Sequence, residues 1–157
     1  MKTAQTFAVV FAEKFAIAAL ISAATSAVAN PDYGGYKGRG GMAAFDIKPN
    51  VYAYHYDKGF TGPDAGGWDP QLQFVWSRMG AAQSCGVAFD EAAAFKQLEA
   101  KYPHGETVHR MVGVGFHAAQ SKASANAFCT SDRLIELRAL LPAFERGGFL
   151  KTGSESP

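Results

Sequence analysis

Little in this 157-residue chain singles out a partner by charge, because 15 Lys and Arg stand against 14 Asp and Glu. Without a long-range field of one sign, neither nucleic acid nor an anionic membrane is a default partner. The chain also lacks an uninterrupted apolar run of the ~20 residues needed to cross a bilayer. It has no Gly-x-Ser-x-Gly elbow, no His-Glu-x-x-His pair, no phosphate loop and no internal repeat. Adjacent carboxylates occur at Asp90-Glu91, where helix capping accounts for them. What it does have is a hydrophobic fraction of 48%, enough for one domain to bury a core without metals or partners.

The first segment reads as a secretory leader. Lys2 and Lys14 bracket a start region, Phe15–Ala24 is largely apolar, and Ala27 and Ala29 supply the small residues that a signal peptidase admits. Cleavage is expected before Asn30, so residues 1–29 form a signal peptide and the mature chain has no membrane span. The alternative, a membrane anchor, is opposed by the short apolar stretch and by Glu13 and Lys14 on its amino side. The mature chain is then neutral, and little net charge opposes homo-oligomer formation.

Export changes the reading of the two cysteines. In an oxidising compartment an even number implies a bridge, so Cys85 and Cys129 are expected to pair. A reactive thiol would need a thiolate-stabilising neighbour, and a metal site would need more clustered ligands.

Residues 30–68 are rich in glycine and tyrosine and read as an extended arm with one or two short strands. In Val51–Tyr56 the alternation places Tyr52, Tyr54 and Tyr56 on one side of a strand, with Phe45–Lys48 the nearest pairing candidate. These tyrosines, with Phe60 and Trp68, are candidate binding residues, since such rings bury large rigid area while Tyr and Trp keep a polar tip. The same rings could instead complete the core. Lys37 and Arg39 among glycines resemble single-stranded nucleic-acid contacts weakly, and a flexible leader is the favoured explanation.

From Asp69 the pattern becomes helical, and residues 69–150 form the expected domain. Asp69 caps a helix with Pro70 at its first position, apolar Leu72, Val75, Trp76 and Met79, and Gly86 just beyond Cys85. A second helix starts at Asp90 and runs to Lys101 before Pro103. A third runs from near Glu106 towards Cys129 on Val108, Met111, Val112, Phe116, Ala119 and Ala123. Within it, Gly113 and Gly115 either permit a close helix approach or break the helix. A fourth is capped by Thr130 or Ser131, carries Leu134, Leu137, Leu141 and Phe144, and ends at Gly147-Gly148. The expected fold is mainly α: a small four-helix bundle stapled by one disulfide behind the extended arm. Residues 151–157 read as a disordered polar tail.

Chemistry-bearing residues are few. His104, His109 and His117 fall in one region and, with His55, are the metal candidates. On one helix, however, His109 and His117 would lie about 12 Å apart along the axis, too far to share an ion. His117 with Ser121 or Ser124 is the sole hydrolase arrangement, and its four-residue spacing is common by chance. No cofactor is indicated. The expected function is a periplasmic or secreted, non-enzymatic protein-binding module whose partner is another envelope protein. A metal-binding envelope protein using histidines is the alternative.

Overall fold

The computed structural model describes residues 31–149, and the expected leader and polar tail lie outside the described residues. The chain is mainly helical, with one disulfide. Six α-helices run in the order α1 Pro49–Asp57, α2 Pro70–Cys85, α3 Glu91–Lys101, α4 Phe116–Ala123, α5 Ala125–Phe128 and α6 Ser131–Phe144. A π-helical segment, Val108–Gly115, leads directly into α4.

The end signals of three helices act as their chemistry requires. The Asp69 carboxylate accepts from the Leu72 N–H at 2.8 Å, and Asp90 does the same for Ala93 at 3.0 Å. Thr130 accepts from the Arg133 N–H, and Gly86 ends α2 in the left-handed conformation at φ 68°.

The helix α2 runs through the middle of the molecule. Every residue from Leu72 to Ala82 is buried, and α2 packs against the π segment, α4 and α6. Its polar members are satisfied in place: the Gln73 amide donates to the Ala65 carbonyl and Ser77 Oγ to that of Phe74. The buried Arg78 bonds Glu136 at 2.9 Å and the Tyr56 carbonyl at 2.9 Å, its guanidinium lying 3.8 Å from the Tyr56 ring centroid and 4.2 Å from that of Phe74.

Two glycines set how closely the neighbours approach. A Cβ at Gly80 would lie 2.6 Å from the Ala118 nitrogen and 2.8 Å from the Val114 carbonyl oxygen. Of the two readings open for Gly113, close approach holds, with the Trp76 ring as the partner. The Cys85–Cys129 bridge forms, with Cα atoms 5.6 Å apart, and ties the end of α2 to the residue before the α6 cap.

Three expectations are corrected. The segment Val51–Tyr56 is part of α1 rather than a strand, and no strand occurs among the described residues. Its alternating tyrosines also contain the four-residue pairs Val51/His55 and Tyr52/Tyr56, all four buried. Pro49 at the first turn is a helix-start signal, and Phe45, the expected pairing neighbour, is fully exposed. The third expected helix is divided among the π segment, α4 and α5, with the break at Ser124 (φ −132°), so more than four helices are present. Finally, the glycine- and tyrosine-rich part contributes Met42, Ile47, Val51, Tyr52, Tyr56, Phe60 and Ala65 to the common core. It is pinned through Asp57, which accepts from Tyr33 Oη at 2.9 Å and from Arg133 at 2.8 and 3.2 Å. Burial and then this Asp57 contact push the Tyr33 phenol up to about 12.

Candidate functional site

The expected binding rings are separated by the fold. Tyr52, Tyr56 and Phe60 are fully buried, and burial raises both phenol pKa values. Tyr54 is half-buried, its ring 5.1 Å from that of Tyr33 and 5.2 Å from that of Tyr36. Trp68 alone of the five is exposed, leaning edge-on against Trp76. These residues therefore present no continuous aromatic surface; three of them hold the core together.

The histidines do not converge on one site, although the rings of His104 and His109 lie 6.0 Å apart. His104 is exposed. His109 is buried and its two nitrogens are both engaged. Trp76 Nε1, which can only donate, reaches Nδ1 at 3.0 Å, so Nε2 carries the proton and donates to the Tyr102 carbonyl at 2.7 Å, with Glu99 Oε2 3.2 Å away. His117 is buried, and its Nδ1 shares a 3.0 Å hydrogen bond with the Tyr52 hydroxyl. Burial, with Arg78 as the second cause, holds His117 down at about 3. Among the described residues no three His, Cys, Asp or Glu side chains are grouped to hold a metal ion. The hydrolase arrangement is not assembled: Ser121 Oγ donates to the His117 backbone carbonyl at 2.9 Å, and both residues are buried.

Two surface features remain. One is an open cleft of about 420 Å³ between the glycine loop and the start of α1, lined in part by Tyr36, Arg39, Asp46, Lys48 and Asn50.

The other is an apolar stripe that the sequence places on the opposite side of its helix. Val108, Met111, Val112, Phe116, Ala119 and Ala123 read as a core-facing set, yet Met111 is 71% and Val112 51% exposed. Phe116, Ala119 and Ala123 are exposed as well. The inward face is instead His109, Gly113, Val114, His117 and Ser121. With i→i+5 bonding each residue advances roughly 80°, which puts Met111, Val112 and Phe116 within one quadrant and His109, Gly113 and Val114 opposite them. Val114 apart, the inward set is small or polar because it must pass close to Trp76 and α2 and bond Trp76 and Tyr52. An amphipathic reading assigns such residues to solvent. The clue available in the sequence was Gly113, which marks the close approach of Trp76 on one side of this helix.

Comparison of the chain with protein-family models, with characterised proteins and with solved structures finds no match.

Proposed function

We propose that the chain is an exported, non-enzymatic protein-binding module that engages another protein of the cell envelope through the stripe Met111, Val112, Phe116, Ala119 and Ala123. The observation that carries this reading is the exposure of these apolar residues on one face from the π segment through α4. Large apolar side chains set together on a surface mark interaction sites, and π segments recur at functional positions. The stripe is backed by the close packing at Gly80 and Gly113, which makes it a rigid platform. The Arg110–Glu106 ion pair, at 2.6 Å, supplies a polar rim beside it. Export is supported by the leader pattern of residues 1–29 and is compatible with the Cys85–Cys129 bridge. Among the described residues no helix is long and apolar enough to cross a membrane. The placement of the histidines gives the metal-binding alternative no comparable support.

The test is site-specific photocrosslinking in the native envelope. A photoreactive residue at Met111 or Phe116 is expected to yield one discrete protein adduct, which is absent when the probe stands at exposed Arg138 and lost on Val112→Glu substitution. Equal labelling from all three positions sinks the reading; an adduct of twice the chain's own mass identifies a second copy as the partner.

A further inference from the structure

The glycine loop that walls the cleft is held by a chain of contacts ending on a buried imidazole. Gly40, with φ +74°, is fixed from both sides: its N–H donates to Asp64 Oδ2 at 2.7 Å, and its carbonyl accepts from Tyr36 Oη at 2.7 Å. A phenol has one proton to give, so the 2.9 Å contact between Tyr36 Oη and His55 Nε2 is donated by the imidazole. This fixes the proton of neutral His55 on Nε2 and leaves Nδ1 as a bare acceptor. That atom is buried and has no hydrogen-bond partner among the described residues.

We propose that His55 is an acid-sensitive latch, whose protonation releases the glycine loop Gly34–Gly41 from α1 and opens the wall of the cleft. A second proton on the ring must go to Nδ1, where no described residue accepts it. The groups that face the imidazole are the Tyr36 ring from the loop at 5.8 Å, the Tyr54 ring from α1 at 5.4 Å and the stacked Phe60 ring at 6.4 Å. Among the described residues Asp64 is the acidic group that favours the charged ring, and it is already engaged by the Gly40 N–H. Burial outweighs Asp64 and keeps the imidazole pKa below its ordinary value. An imidazolium in this enclosure gains by moving to water, and the route outward displaces Tyr36, the residue that holds Gly40. The loop is suited to the movement, since the side it presents to α1 is built from glycines and Tyr36 rather than from core aliphatics. This device stands apart from the apolar stripe on the π segment and α4.

The test is nuclear magnetic resonance of the oxidised mature chain between pH 7.5 and 4.5. The amide signals of Gly34, Gly35, Gly38, Gly40 and Gly41 are expected to shift or broaden with the midpoint of the His55 ring signals, while α2 amides stay in place. His55→Gln, which keeps a donor towards Tyr36, abolishes the transition; Tyr36→Phe gives the released loop already at pH 7.5, with the helical circular dichroism intact. Asp64→Asn leaves a pH transition at the His55 midpoint. The proposal is overturned if the loop signals ignore the His55 titration, if the transition survives in His55→Gln, or if Asp64→Asn removes it.

Discussion

Gly113 lies against the face of the Trp76 indole so closely that a Cβ there would fall 2.3 Å from the ring atoms Cδ2 and Cε2. Trp76 cannot yield easily, because its Nε1 is bonded to His109 and the Trp68 ring packs against it at 5.2 Å. Gly113→Ala is therefore expected to destabilise the protein by about 3 kcal/mol, the upper part of the range for overpacking a core. Alanine normally favours a helix over glycine by about 1 kcal/mol, so a neutral or stabilising result in urea denaturation would contradict this packing.

The two buried tyrosines of α1 should answer differently to the same change. Among the described residues the buried Tyr56 Oη has no hydrogen-bond partner, whereas the Tyr52 hydroxyl is bonded to His117 Nδ1. Tyr56→Phe is expected to be neutral or stabilising, and Tyr52→Phe to cost about 1–3 kcal/mol by leaving a buried acceptor unpaired. Thermal melts of the two variants side by side decide it, and equal losses would contradict the assignment. Replacing Tyr52 and Tyr56 by serine would remove core rings, so loss of binding in such a variant would report unfolding.

Stability should rise with pH between about 3 and 6.5. His117 is held at about 3 in the folded chain and returns to the ordinary value of 6.5 on unfolding, so the unfolded state takes up the proton first. Its contribution is complete above 6.5 and is lost as pH falls towards 3, with a slope of up to about 1.4 kcal/mol per pH unit. His55, also depressed by burial, acts in the same sense. In His117→Gln the slope of unfolding free energy against pH is expected to flatten over pH 4–6; an unchanged slope would remove His117 as its source.

Arg78 cannot be exchanged for lysine without loss. Its Nε and Nη2 both reach Glu136 Oε1, at 3.2 and 2.9 Å, while Nη1 holds the Tyr56 carbonyl and the planar group lies between two rings. A lysine keeps the charge but not the fork or the stacking. Arg78→Lys is expected to cost about 2 kcal/mol in denaturant titration, against less than about 0.5 kcal/mol for Arg138→Lys at an exposed position.

The sequence was most legible where a local signal and the tertiary environment agreed. Asp69-Pro70 and Asp90-Glu91 state a helix start through their own backbone bonds, and Cys85 with Cys129 needed only an oxidising compartment to be paired. It was least legible where one pattern served two periods. Tyr52, Tyr54 and Tyr56 alternate like a strand, but Tyr52 and Tyr56 also stand one helical turn apart, and the packing of His55 and Val51 beside them decides for the helix. The π segment misled for a different reason. Polarity sorts residues into inside and outside only when polar groups lack buried partners, and here Trp76 and Tyr52 supply partners to His109 and His117. That turned Met111, Val112 and Phe116 outward.

The bridge between Cys85 and Cys129, 44 positions apart, encloses α3, the π segment, α4 and α5 in one covalent ring and leaves α2 and α6 outside it. Under mechanical load the two ends of the chain therefore pull through the sulfur atoms, and the enclosed segment bears none of the tension. About 150 Å of contour stays hidden from a stretching force until the bridge is reduced. The apolar stripe of the π segment and α4 lies inside that shielded loop.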